Sequence, residues 1–238
     1  MSWLVGKIHE INRYPVKSFA GESLDMCDIE TYGLYGDRFC AFYEGAGERW
    51  ESYVTARAVP RMLAYRAKLI EGGVTVTSPD GRTFRWNEEL LAEIQSISRR
   101  NLSMTSCPDR NFENGGLMAV DLANILIVTD VSLRKLESVW DKRLDPRRFR
   151  ANLIVVLDED ALHENDWIGK RLSIGGAELQ VDRYCKRCSM ITLDPDTLER
   201  DATLLKQVHE RLDLNFGVYA SVIKTGQVRV GDNVYVAN

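Results

Sequence analysis

The sequence predicts a mainly β protein with a few helices, an α+β fold whose second half closes into a barrel. Three observations carry this. Short apolar segments that alternate with polar residues recur along the 238-residue chain, separated by turns rich in Gly, Pro and Asp. Only three stretches, 87–97, 133–140 and 202–212, space their apolar residues as a helix does. Beyond residue 110 the elements are mostly short strands joined by tight turns, the pattern of a barrel.

Residues 4–14 read as a strand in which Val5, Ile8 and Ile11 alternate imperfectly, ended by Pro15, before which extended backbone is favoured. The loop that follows holds Lys17 and Ser18. It either presents an ammonium and a hydroxyl to an anion or is a solvated turn. Residues 23–30 read as one strand, and 39–43 resume the alternation after a turn containing Gly33 and Gly36. Arg38, at that strand's start, has the guanidinium fork that matches a phosphate, or it pairs with Asp37. Residues 44–52 are polar and glycine-rich and read as a flap. Thr55 and Arg57 precede Pro60, in backbone expected to be extended. Strand 65–70 follows, and 74–77 and 83–86 flank SPDG as a hairpin.

Leu90, Leu91, Ile94 and Ile97 define the first helix. Residues 106–116, rich in Pro, Asp, Asn and Gly, mark a division placed near 110, giving units 1–110 and 111–238. Strand 125–128 then runs into the second helix behind Thr129 or Asp130 as N-cap, a join that often makes an anion site. Arg147, Arg148 and Arg150 form the densest basic run and lead into strand 153–157. A solvated loop and a phosphate clamp both suit them. Residues 167–176 and 177–184 read as a hairpin, and 189–193 as a strand. Helix 202–212 carries His209, and 216–223, 227–230 and 233–236 close the chain as strands.

The chemistry concentrates in residues 182–195, where Cys185 and Cys188 flank Lys186 and Arg187. Neighbouring positive charge favours the thiolate, which is both the nucleophile and the metal ligand. Zinc needs four ligands, and Cys27, Cys40, Cys107, His9, His163 and His209 supply no second pair at ligand spacing. A thioredoxin-like redox pair belongs where a strand runs into a helix, whereas strands are expected on both sides here. A single thiolate on a soft transition metal, with the other ligands brought by a cofactor, is a third reading. Two buried structural cysteines would give the same spacing.

Composition narrows the classes. A net charge of −4 argues against general nucleic-acid binding, and no apolar run approaches the roughly 20 residues needed to cross a bilayer. Five cysteines and no apolar leader point to a cytoplasmic protein that needs no disulfide.

Six short motifs in order resemble MOSC-domain proteins: YPVKS at 14–18, GDR at 36–38, TARAVP at 55–60, RFRAN at 148–152, CKRC at 185–188, and the closing FGVY and VGD. The chain is most similar to the group containing the mitochondrial amidoxime-reducing component and bacterial N-hydroxylated-base reductases. The resemblance implies a MOSC β-barrel after a smaller N-terminal β-rich domain, with molybdenum cofactor (Mo-molybdopterin) between them. It makes Cys188 the molybdenum ligand and Cys185 a neighbour. It places cofactor contacts at Lys17, Ser18, Arg38, Arg57, Arg150 and Asn152, at Asp121, Leu122 and Ala123, and at Lys186 and Arg187. Asp194 is expected as a proton donor or as a turn cap. The activity implied is reduction of hydroxylamino bases, amidoximes or hydroxylamines, with neither nucleic acid nor membrane as partner. Electrons would come from a separate ferredoxin, flavodoxin or cytochrome b type protein and its reductase, because too few cysteines are present for an iron–sulfur cluster. A cofactor carrier or sulfur-transfer module without turnover is the alternative. Pyridoxal phosphate binding attaches to the family only as a domain-level label. The sequence departs from many relatives at Asn124, where they have proline.

Overall fold

The computed structural model describes residues 2–45, 52–71, 73–105 and 124–237. In chain order the strands are β1 (Ser2–Arg13), β2 (Glu22–Leu24), β3 (Met26–Glu30), β4 (Gly33–Leu34), β5 (Phe42–Glu44), β6 (Arg66–Ile70), β7 (Gly73–Thr77), β8 (Thr83–Arg85) and β9 (Leu102–Met104), with α1 (Glu88–Ile97) between the last two. Then come β10 (Ile125–Thr129), α2 (Asp130–Trp140), β11 (Leu153–Leu157), β12 (Arg171–Ile174), β13 (Ala177–Lys186), α3 (Ala202–Leu212), β14 (Asn215–Lys224), β15 (Gly226–Arg229) and β16 (Asn233–Ala237).

Seven strands close into a barrel in the order β11-β10-β14-β13-β12-β16-β1, with β1 pairing back onto β11. Closure removes the free edges that an open sheet would expose. Alternation fills the interior with aliphatic side chains, among them Val5, Ile8, Ile127, Val155, Leu179, Val218 and Val236, each at most 2% exposed. The first strand of the chain is thus a barrel strand, although by sequence it belongs to the N-terminal unit. The division expected near residue 110 lies outside the described residues, as does 46–51 of the expected flap.

Among the described barrel strands, one pairing is parallel. β10 lies beside β11 in parallel register, joined through α2 as a strand–helix–strand unit. Thr129 caps α2 by accepting from the Ser132 N–H at 3.3 Å, as its position predicts. On the outside of β10 and β11, α2 and α3 bury Leu136, Trp140, Leu204 and Val208 against Val128, Ile154 and Phe216.

The second core lies beside the barrel. It gathers Phe19, Phe42, Tyr65, Met62, Leu90 and Ile94 beneath the β6-β7-β8 sheet and α1. Asn87 caps α1 by accepting from Leu90 N–H at 3.3 Å. Leu193, which follows the cysteine motif, is buried in this same core. The motif's loop is therefore pinned into the N-terminal unit while its strand belongs to the barrel.

Four expectations need correction. Residues 23–30 form two strands, broken at Asp25, because β2 pairs with β1 while β3 pairs with β15 and β4. Residues 189–193 form a 3-10 turn (Ser189–Thr192), not a strand. Ile191 and Leu193, which would share one face of a strand, are both buried but go to different cores. The stretch before Pro60 turns at 56–58, and Pro60 itself opens a 3-10 helix (Pro60–Ala64), using its preset φ as a helix start. Finally, Cys40 is wholly buried and disulfide-bonded, which the reading of a cytoplasmic protein that needs no disulfide does not anticipate. The number of cysteines says nothing about which thiols the fold brings together. Strand β9 was not anticipated; it pairs with β5.

Candidate functional site

The site is built on the end of β1. Beyond Arg13 the chain turns into the Lys17–Ser18 loop, where Val16 bridges to Cys40 and Lys17 N–H donates to Cys40 O at 2.8 Å. Tyr14 is buried there between two cations. The Arg150 guanidinium lies 4.1 Å from its ring centroid and that of Arg38 lies 5.2 Å away. Burial pushes the Tyr14 phenol up despite the lowering pull of Arg150 and Arg38, so the ring is neutral and offers its faces to the cations.

Ser18, Arg38 and Arg150 all have left-handed backbone, with φ of 69°, 52° and 54°. Such conformations cost about 1–3 kcal/mol each in a residue with a side chain and cluster at ligand sites. The surroundings hold them. Arg38 N–H donates to Tyr14 O at 2.7 Å, its side chain pairs with Asp37, and Asp37 Oδ1 accepts from Tyr14 N–H at 2.7 Å. Arg150 Nη1 donates to Phe19 O at 2.6 Å. Asn152, 1% exposed, accepts from Leu126 N–H at 3.1 Å and from Arg38 Nη1 at 3.4 Å, and donates to Asn12 O at 3.2 Å. It braces β1, β10 and Arg38 together.

The two cysteines separate sharply. Cys185, near the end of β13, is 2% exposed and packs with Leu126, Val128, Ile191 and Phe216. Cys188 is exposed, free, and heads the Ser189–Thr192 turn. One thiol is spent on packing and the other faces solvent. Between them, Lys186 is exposed and Arg187 is buried. Arg187 donates from Nε to Phe216 O at 2.8 Å and from Nη1 to Phe149 O at 3.0 Å, lying against both aromatic rings. Its Nη2 is buried without a partner. A buried cationic donor left unpaired is costly, and it marks a place where an acceptor is wanted. Gly217, at φ 77°, makes room here, since a Cβ would lie 2.7 Å from Ile127 O.

Hydrogen bonds and cation–ring contacts join most of the expected residues into one continuous rim. Cys188 follows Arg187, Arg187 holds Phe149, and Arg150 next to it reaches the loop of Ser18 and Phe19 and shares Tyr14 with Arg38. Arg57 is exposed; its Nε donates to Thr55 Oγ1 at 3.4 Å and its carbonyl accepts from Arg200 Nη2 at 3.2 Å. Asp121, Leu122 and Ala123 lie outside the described residues. Asp194 has the geometry of a turn cap: Oδ1 accepts from the N–H groups of Asp196 (3.0 Å) and Thr197 (2.9 Å), and Oδ2 from Arg148 Nη2 (2.7 Å). The Thr197 N–H above all holds its carboxyl below the usual range. Tyr14 escaped the sequence reading as a site residue because it brings neither charge nor metal affinity; its role rests on contacts with Arg38 and Arg150.

Among the described residues, no three His, Cys, Asp or Glu side chains gather as a metal site. A metal at Cys188 therefore needs further ligands carried by a bound group. The exposed thiol, the unpaired Arg187 donor and the cationic rim fit an anionic, metal-bearing cofactor.

Family models match along most of the chain: the MOSC N-terminal beta barrel domain over residues 5–116 and the MOSC domain over residues 114–235. Mitochondrial amidoxime reducing component 2 of Homo sapiens is 38% identical, the match covering 97% of this chain and 83% of that protein. Molybdenum cofactor sulfurase of Drosophila ananassae is 36% identical across 50% of this chain and 16% of its own length. The crystal structure of the YuaD protein from Bacillus subtilis shares the fold, with a TM-score of 0.51 at 15% identity, over 99% of this chain and 97% of that one.

Proposed function

Because the chain belongs to the MOSC-domain family, we propose that it is a molybdenum-cofactor-dependent reductase of N-hydroxylated compounds in which the Cys188 thiolate ligates molybdenum. The observation that carries the reading is the contrast between a packed Cys185 and an exposed, free Cys188 beside an unpaired buried guanidinium. The relatives named amidoxime-reducing component support a reductive role, and the one named molybdenum cofactor sulfurase supports an association with molybdenum cofactor.

The cofactor, when bound, supplies two-electron removal of oxygen: the N–O bond breaks, the amine remains, and the oxygen leaves as water with two protons. The chain does the holding. Soft sulfur at Cys188 suits a soft metal. Arg38, Arg150 and the Lys17–Ser18 loop would receive the anionic phosphate and pterin, with Lys186 and Arg57 at the margin. Arg187 keeps a permanent positive charge beside the thiolate and offers its free Nη2 N–H to an acceptor. Asp194 enters as the cap of the loop, not as its acid. Electrons come from a separate protein of ferredoxin, flavodoxin or cytochrome b type with its reductase.

The test is turnover of a hydroxylaminopurine by the full chain loaded with cofactor and supplied with dithionite-reduced viologen. Amine should form with the wild type and not with Cys188→Ser. No turnover in fully loaded wild-type protein rejects the reading. The exposure of Cys188 also suits a sulfur-transfer or cofactor-carrier module, and similarity to a molybdenum cofactor sulfurase supports that second reading. It predicts a persulfide on Cys188, or ready transfer of cofactor to an apo-enzyme.

A further inference from the structure

Two arginines tie the segment around Cys188 to the 3-10 turn Pro146–Phe149, one reaching from each side. From the cysteine strand, Arg187 reaches Phe149 O in the 3-10 turn Pro146–Phe149. From that turn, Arg148 Nη1 donates to Ile191 O (3.3 Å) and Thr192 O (3.2 Å), and its Nη2 to Asp194 Oδ2 (2.7 Å). The Arg148 side chain is 7% exposed and lies 5.8 Å from the Trp140 ring centroid, and its Nε is buried without a partner.

The turn that Arg148 grips begins at Cys188. Its backbone hydrogen bonds are long, Ile191 N–H to Cys188 O at 3.3 Å and Leu193 N–H to Met190 O at 3.2 Å, and Thr192 Oγ1 adds one side-chain bond to Ser189 O at 2.7 Å. A one-turn 3-10 helix has poor internal geometry and takes its shape from whatever satisfies its last carbonyls. Arg148 satisfies two of them, helped at Thr192 O by Asp201 N–H at 2.8 Å.

We infer that Arg148 is a positioning residue for Cys188: it fixes the turn that aims the exposed thiol and keeps that thiol in register with Arg150 on the same short turn. Its catalytic consequence rests on the reductase reading, while the positioning itself does not. Arg148 and Arg150, alike in type and two residues apart, thus divide the work, one holding the ligand's loop and the other facing the cofactor rim. Arg147 is the built-in control. Exposed, it bridges Asp145 (2.6 Å) and Asp196 (2.5 Å) across the same two segments but touches no carbonyl of the Cys188 turn.

The experiment compares the full-length wild type with Arg148→Met, Arg148→Lys and Arg147→Met. Amide hydrogen exchange is read on cofactor-free protein, and kcat, KM and the Mo(V) EPR signal on loaded protein. In Arg148→Met, the Ile191 and Leu193 amides exchange faster, the Mo(V) signal broadens or splits, and kcat falls by about 10- to 100-fold with little change in KM. Arg148→Lys recovers part of each, because an ammonium reaches a carbonyl without the fork that spans two. Arg147→Met stays close to wild type in all of them. Wild-type exchange at those amides in folded Arg148→Met, or equal losses in Arg147→Met and Arg148→Met, overturns the inference. If Arg148→Met does not fold, Arg148→Lys carries the same readouts. If loaded wild type shows no turnover, the reductase reading fails, and exchange at Ile191 and Leu193 alone decides the positioning role.

Discussion

The barrel and the rim that carries the candidate site are held together by different physics. Inside the barrel, aliphatic side chains at most a few per cent exposed are sealed by a closed ladder of strands, and the stabilisation comes from apolar burial. At the rim, the loop after Cys188 and the turn at Pro146–Phe149 are joined by buried guanidinium groups on carbonyls and a carboxylate: Arg187 on Phe149 and Phe216, and Arg148 on Ile191, Thr192 and Asp194. Directional bonds fix a thiol and its neighbouring cations more finely than apolar contact does, and they respond to pH and to single charges. The barrel supplies stability, and the rim supplies placement.

That contrast can be broken from either side. Leu179→Ala, at a wholly buried barrel position, should cost about 2–5 kcal/mol. Urea melts should report this as a lowered midpoint, with cofactor binding in the folded fraction unchanged. Cys185→Ser buries a hydroxyl in an apolar cluster and should cost about 1–3 kcal/mol, again seen by urea melts. Cys188→Ser, at an exposed position, should leave the melt unchanged and lower, without abolishing, the molybdenum retained after desalting, measured by elemental analysis.

Acid should act on the rim first. The Asp194 and Asp196 carboxyls sit below their ordinary range, Asp194 chiefly through the Thr197 N–H and Asp196 chiefly through Arg147, and Asp201 is lowered to about 2, chiefly by Lys142. A depressed native value means that the stabilisation is complete above the unfolded value of about 4 and is lost as pH falls through the native one. Exchange at the amides of 189–197, corrected for its intrinsic pH dependence, should therefore rise in acid before that of β10 or β14. The smallest effect belongs to Arg147→Met, whose exposed pairs should contribute about 1 kcal/mol or less to a urea melt.

Much of this was legible in the sequence where the signal is local. The three helices announced themselves by spacing, the second also by its cap at Thr129 or Asp130, and the barrel strands by alternation. The 3-10 turn after Cys188 was not legible, because Ser189 to Leu193 looks like a strand until Ile191 and Leu193 are seen in two different cores. The spacing of Cys185 and Cys188 is symmetric, so it could not say which thiol is packed; the sheet and α-helical layer decide that. The rim was half legible. Charge density singled out Arg147, Arg148 and Arg150, yet their separate tasks depend on partners far away in sequence, such as Phe19 O for Arg150 and Ile191 O for Arg148.

Molybdenum K-edge X-ray absorption on cofactor-loaded wild type, beside Cys188→Ser and Cys185→Ser, measures the metal–sulfur bond itself. The expected result is loss of one sulfur scatterer in Cys188→Ser alone, with the Cys185→Ser shell matching wild type. A sulfur shell unchanged in Cys188→Ser, or diminished in Cys185→Ser, would contradict the assignment of Cys188 as the ligand.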